Sequence, residues 1–268
     1  MNEPKLSQRL LSLDALRGFD MLFIMGFAGL VTALCKLCPG EFSDWMTAQM
    51  GHADWNGFFH HDTIFPLFLF IAGISSNLTH SNLVRGVKLL GVALLVTLAT
   101  AIAVPEELIV FGILHFLSVC MIAFGLLQLL RRRLGRTEEP PFRLWPVVVC
   151  AVLFIVARYL ASGYLQIPFV LRVFLPSGWY QAWLAPLGLP GPGFSSADYF
   201  PLLPWCFVFA AGTVVGRLAK AGKFPAWTYP SRVPFFSFLG RHALLIYVLH
   251  QPVIYGAALL VQALASHG

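Results

Sequence analysis

His52-Ala-Asp-Trp-Asn-Gly-Phe-Phe-His-His-Asp62-Thr-Ile-Phe-Pro66 runs without a break into Leu67-Phe-Leu-Phe-Ile-Ala-Gly-Ile74. A cluster of three histidines and two aspartates therefore stands at the mouth of an uncharged apolar segment. Polar groups beside a bilayer are expensive, and they persist where a function needs them. The reading that follows is a membrane-embedded chain with chemistry at the end of a span.

Composition agrees. Hydrophobic residues make up 58% of the 268 residues and charged residues 11%, with a mean hydropathy of +0.75. Soluble domains carry about 45–50% apolar and about 25% charged residues, so a soluble domain is excluded. The apolar stretches are long and continuous, which suits helices rather than the alternating strands of a barrel. The predicted fold class is all-α, a polytopic transmembrane helix bundle of about 7–8 spans. Spans are expected near residues 17–37, 63–80, 86–104, 107–130, 144–163, 199–218 and 236–262. No internal repeat and no charged tail is visible, so residues 1–268 read as a single membrane-embedded domain.

The net charge of +6 is an orientation signal rather than a nucleic-acid footprint, because nearly all Lys and Arg lie in short links between apolar runs. With the N-terminus in the cytoplasm, the inner face receives Lys5, Arg9, Arg85, Lys88, Arg131, Arg132, Arg133, Arg136, Arg143, Arg217, Lys220, Lys223 and Arg232. The outer face receives Lys36, Arg172 and Arg158. Leu165 to Pro176 reads as an interfacial or re-entrant piece, since a span there would move the last basic link outside.

The N-terminus resembles a signal peptide, with Lys5, Arg9 and Arg17 ahead of an apolar run from Phe19 to Leu34. That run is long enough to span, and Asp14, Arg17 and Asp20 crowd it, so an uncleaved first helix is expected. Cys35-x-x-Cys38 lacks a thioredoxin-like context or a second ligand pair, and reads as helix-end thiols. Cys120, Cys150 and Cys206 sit in apolar runs as small core residues. Phe42, Trp45, Met46 and Met50 recur at helical spacing and suit a short interfacial helix. Trp179, Tyr180 and Trp183 read as interfacial anchors or, less simply, as a stacking surface for a saccharide.

Several sets of residues carry candidate chemistry. His52 has the near-neutral pKa that a general base for acyl transfer to an amine requires, and it could also accept an acyl group covalently. Asp62 reads either as an N-cap of the second span or as the group that orients a catalytic imidazole or holds an amine. His60, His61 and Asp62 invite zinc, but adjacent residues on a helix do not share a face. Leu11-Ser-Leu-Asp14-Ala-Leu-Arg17-Gly18 places Asp14 and Arg17 three apart, where they can pair or where Arg17 can grip a phosphate. Phe238-Leu-Gly-Arg241-His242-Ala-Leu-Leu-Ile-Tyr247-Val-Leu-His250-Gln251-Pro252 aligns Tyr247 with His250, and Gln251-Pro252 interrupts the helix. An intramembrane histidine beside such a break is functional by default. Gly112-Ile-Leu-His115-Phe and Asp198-Tyr-Phe-Pro-Leu-Leu-Pro-Trp205 are weaker signals, and His115 could simply bond a neighbouring helix.

Taken together these spellings resemble the heparan-alpha-glucosaminide N-acetyltransferase family of multispanning membrane acyltransferases. The resemblance rests on His52-Ala-x-Trp55-Asn56-Gly57 with Asp62 and Phe65-Pro66, on the Asp14-x-x-Arg17-Gly18 start, and on the Leu239-Gly240-Arg241 to Pro252 ending of compact bacterial members. It runs from Leu11 to about Gly256. It implies transfer of an acetyl group from acetyl-coenzyme A, as co-substrate and without a metal, to an amino sugar or envelope glycan reached from the opposite face. His52 would be the catalytic histidine with Asp62 beside it. Asp14, Arg17, Trp55, Asn56, His115, Arg241, Tyr247, His250 and Gln251 would bind substrate or coenzyme. It further implies an integral protein of a bacterial inner membrane with a cytoplasmic N-terminus, and leaves room for a homodimer. Against the lysosomal enzymes of the family a compact member without their luminal N-terminal domain and several of their spans is expected, so heparan sulfate itself is not the expected acceptor. The rival class is an amino-sugar permease, which intramembrane polar residues and a broken helix would also suit. Paired inverted halves, usual in such transporters, are not seen in the sequence.

Overall fold

The computed structural model describes residues 11–22, 65–105, 108–136, 138, 140–167, 170–228 and 233–250, with 253, 256 and 260. Its helices are α1 (Leu11–Leu22), α2 (Phe65–Asn77), α3 (Asn82–Ala103), α4 (Ile113–Arg133) and α5 (Trp145–Ala157). A two-stranded antiparallel sheet follows, β1 (Tyr164–Ile167) with β2 (Leu171–Phe174), then α6 (Leu202–Lys220) and α7 (Pro234–Arg241). The chain divides into two compact units, residues 1–68 with 224–268, and residues 69–223.

Within the second unit, glycines set the helix contacts. Without a hydrophobic driving force in lipid, helices associate by close packing, and a missing side chain lets backbones approach. A Cβ on Gly73 of α2 would fall on the Phe209 carbonyl oxygen of α6, and one on Gly212 would fall on the Phe70 carbonyl oxygen. One turn on, Gly216 faces Asn77, whose Nδ2 donates to the Thr213 carbonyl oxygen at 2.8 Å. Helix α3 packs on α4 in the same manner, with Gly86 against Ile122 and Gly125 against Leu83. Ser81 caps α3, accepting from the Val84 N–H. Buried Asn82 then donates to the Ser76 carbonyl oxygen at 2.8 Å and to Gln128 Oε1 at 3.1 Å, tying the α2–α3 corner to α4. Helix α5 has no buried residue, and packs on α6 with Phe154 and Trp205 rings 5.4 Å apart.

Among the described residues four helices are long and apolar enough to cross a membrane: Asn82–Ala103, Ile113–Arg133, Trp145–Ser162 and Leu202–Lys220. Helix α2 is a shorter apolar helix of 13 residues. About 7–8 spans are therefore not reached here, because the first and last expected spans run into residues outside the described set. The all-α expectation needs one amendment. Residues 164–174 form a hairpin in which Tyr164 pairs with Phe174 and Ile167 with Leu171. Strands of four residues are too short to cross a core that needs about 9–11 residues per strand. The aromatic content of the segment explains the strands: Tyr159 stacks on Tyr164 at 5.1 Å, and Arg172 lies over the Tyr164 ring at 5.7 Å. The interfacial helix expected around Trp45 lies outside the described residues.

The α2–α6 contact gives a direct test. Gly212→Val should destabilise the protein by about 1–3 kcal/mol or more, the usual range for overpacking. Gly91→Ala, with nothing within 4 Å of the new Cβ, should not lower the melting temperature. Thermal unfolding in detergent reads both, and equal melting of Gly212→Val and wild type would remove the crossing.

Candidate functional site

In the first unit, α1 and α7 cross with their backbones in contact. A Cβ on Gly18 would fall on the Phe236 carbonyl oxygen, and one on Gly240 would fall on the Asp14 carbonyl oxygen. The Phe19 and Phe236 rings meet edge to face at 5.7 Å. The glycines of Asp14-x-x-Arg17-Gly18 and Leu239-Gly240-Arg241, more than 200 residues apart in sequence, are thus a single contact. In sequence Arg17 immediately precedes one glycine and Arg241 immediately follows the other. Asp14 and Arg17 pair as their spacing predicts, at 3.9 Å, with Asp14 buried and Arg17 half-buried. Arg241 is exposed, and its Nε donates to the Ser237 carbonyl oxygen at 3.2 Å.

One turn beyond Arg17 on α1 stands Asp20, only 1% exposed. Among the described residues neither of its carboxylate oxygens has a hydrogen-bond partner. A buried carboxyl without partners is costly, and the sequence reading used Asp20 only as a charge crowding the first span. Its three-residue spacing from Arg17, repeating that from Asp14, was the signal available.

After a turn at His242 the chain is helical again over 243–250. Tyr247 and His250 share a face, with rings 5.5 Å apart, and His250 Nδ1 lies against the Tyr247 carbonyl oxygen. Gln251 and Pro252 lie outside the described residues. So do His52, Trp55, Asn56, His60, His61 and Asp62.

The second unit joins the two weaker sequence signals. The link before α4 and the segment before α6 are zipped together: Ala197 N–H donates to the Leu108 carbonyl oxygen at 3.1 Å, and Phe200 N–H to that of Phe111 at 2.9 Å. Ser196 Oγ accepts from Val110 N–H at 3.1 Å. Asp198 Oδ2 accepts from Ile113 N–H at 2.9 Å, supplying the helix start with the cap that Gly112 lacks. Gly112 is glycine for that reason, since a Cβ there would meet the Asp198 carboxylate. One turn in, His115 is 5% exposed, with Nε2 3.3 Å from Thr97 Oγ1 of α3 and its ring 5.8 Å from that of Phe111. His115 does bond a neighbouring helix, and Thr97 is the member of this cluster that no sequence motif marked.

Among the described residues no group of three His, Cys, Asp or Glu side chains could hold a metal ion. Cys120, Cys150 and Cys206 are unpaired, with Cys120 buried. No curated protein and no solved structure gives a significant match to the chain. A family match does exist, to the description heparan-alpha-glucosaminide N-acetyltransferase, catalytic, and it covers residues 9–252. Every motif from Asp14 to Gln251 falls inside those limits, including both partners of the α1–α7 crossing. The chain belongs to the heparan-alpha-glucosaminide N-acetyltransferase family, over its catalytic region.

Proposed function

We propose that the protein moves an acetyl group from acetyl-coenzyme A on the cytoplasmic face to an amino sugar or envelope glycan on the other face of a bacterial inner membrane. The observation that carries this reading is the family match across residues 9–252, which takes in the His52 block whole. The α1–α7 crossing supports it from the donor side, because Arg17 and Arg241 are each the sequence neighbour of one of the two glycines that meet there. Guanidinium forks match phosphate oxygens bidentately, so this pair suits the nucleotide end of coenzyme A, with Asp14 holding Arg17 in place.

His52 acts in one of two ways. As a base it takes the proton from the amine as nitrogen attacks the thioester carbonyl, and coenzyme A leaves as the thiol. As a nucleophile its imidazole first takes the acetyl group, releases the thiol, and then yields the acetyl group to the amine. Asp62 orients the ring in both. Trp55, Asn56, His115, Tyr247, His250 and Gln251 contact substrate or the pantetheine arm. The arm reaches roughly halfway through a core about 30 Å thick, while the charged nucleotide stays at the inner mouth.

His52→Ala should lose transfer by at least about 10²–10⁴-fold while the protein still inserts and folds. Asp62→Asn should express normally and lose much of the rate. Labelled acetyl-coenzyme A with a panel of amino sugars measures both, and His52→Ala activity within a few-fold of wild type would move the chemistry elsewhere.

Sealed vesicles of known orientation check the route. Acetyl-coenzyme A supplied on the cytoplasmic side should acetylate an amino sugar confined to the other side, and a permease would instead pass the sugar unmodified. Transfer only when donor and acceptor share one face would end the transmembrane route.

A further inference from the structure

The helix contacts of the second unit bring its basic residues to one end. Helices α3 and α4 run antiparallel, since Gly86 meets Ile122 while Gly125 meets Leu83, so the start of α3 lies beside the end of α4. Helices α2 and α6 run parallel, since Gly212 meets Phe70 and Gly216 meets Ile74. Asn82 bonds both Ser76 near the end of α2 and Gln128 near the end of α4, so the end of α6 is on this side too. Arg85 and Lys88, the run Arg131–Arg133, and Lys220 and Lys223 therefore share one end of the unit. Of the two acidic residues described in this unit, Asp198 caps the opposite end of α4, and Glu138 alone lies here, its carbonyl oxygen accepting from Arg131.

On α4 a groove runs into this basic end. Exposed Leu126, Leu127, Leu129 and Leu130 line it together with Arg133, and its volume is about 470 Å³. Arg133 follows Leu126 by seven residues and Leu129 by four, so it stands on their face, about 10 Å along the helix from Leu126. An orientation signal accounts for arginines at a helix end, but not for a groove of leucines with an arginine in its wall. The charge decides what covers it. A second copy in the same membrane would bring its own Arg131–Arg133 run to the same depth, like charge against like. A zwitterionic headgroup would bring an ammonium into the cluster. A headgroup with net negative charge meets guanidinium forks with its phosphate, while its acyl chain lies along the leucines.

We propose that this face of α4 binds an anionic phospholipid, with an acyl chain along Leu126, Leu127, Leu129 and Leu130 and the phosphate on Arg133. The site lies wholly in the second unit and depends neither on acetyl transfer nor on the coenzyme. With the N-terminus inside, the lipid belongs to the cytoplasmic leaflet.

Native mass spectrometry of the full chain in detergent tests it, with dioleoyl phosphatidylglycerol as the probe. Dioleoyl phosphatidylcholine serves as the zwitterionic control and sn-glycerol 3-phosphate as the headgroup without chains. A basic side chain near an anionic lipid contributes about fivefold in affinity, so phosphatidylglycerol should bind wild type at least about fivefold more tightly than phosphatidylcholine. Arg133→Gln should lose about fivefold for phosphatidylglycerol, whereas Lys223→Gln, which removes the same charge from the same end but outside the groove, should stay within about twofold of wild type. Glycerol 3-phosphate should not displace the lipid. Both substitutions change exposed residues, and the comparison of lipids uses wild type alone, so the outcome does not hang on a variant's folding. Equal binding of the two lipids, an unaltered Arg133→Gln, or equal losses in Arg133→Gln and Lys223→Gln overturns the site, the last by showing a diffuse field over the whole basic end. Displacement by glycerol 3-phosphate overturns it in favour of a plain phosphate site. A dimer that retains no lipid overturns it in favour of a second copy on this face.

Discussion

Two helix backbones touch where Gly18 meets Gly240, and the donor side of the proposed site depends on that contact. In a lipid environment apolar side chains gain little by leaving lipid for protein, so helix association relies on close packing and on the few polar bonds that cross between helices. Glycine at both positions removes the side chains that would hold α1 and α7 apart. The neighbouring arginines then come with the glycines. Arg17 and Arg241 each stand in the sequence beside a packing glycine, and that neighbourhood is what the proposed donor side draws on. The same device recurs in the second unit at Gly73 and Gly212, and at Gly86 and Gly125, where no chemistry is attached to it.

Buried polar groups tie the helices together at some cost. Asn77 and Asn82 spend their amide hydrogens on carbonyl and carboxamide oxygens of neighbouring helices, and so act as struts. Asp20 and His115 are almost fully buried as well, and among the described residues each presents atoms without a hydrogen-bond partner, as Asn82 does at its Oδ1. Such atoms are costly in apolar surroundings. They fall on α1 one turn beyond Arg17, at the first residue of α3, and in the first turn of α4.

Much of this was legible in the sequence for a simple reason. Span existence follows from apolar length, and Asn82–Ala103, Ile113–Arg133 and Leu202–Lys220 stand within a few residues of their expected positions. Local pairing was legible too, as with Asp14 and Arg17, or Tyr247 and His250, because helical spacing fixes which side chains share a face. The hairpin at 164–174 was read as non-spanning from charge balance, yet its strands were not foreseen, since a four-residue strand has no room to display a period. Non-local contacts were the larger gap. Nothing in one sequence pairs Gly18 with Gly240 or Asp198 with Ile113, because the register between two helices depends on every residue along both. The glycine before Ile113 and the glycine after Arg17 were visible only as spelling, and the structure supplies their reason: a carboxylate fills one space and a helix backbone the other.

The claim on which the donor side turns is that Arg17 and Arg241 act on one coenzyme. Calorimetric titration of coenzyme A into the solubilised protein tests it most directly, using Arg17→Gln, Arg241→Gln and the double variant, each with its melting temperature recorded. Loss of a charge-assisted contact should weaken binding by about tenfold or more in each single variant. Two residues gripping the same phosphates should also be non-additive, so the double variant should lose less than the product of the two. Unchanged affinity in both single variants would contradict the account and leave the α1–α7 crossing as packing alone.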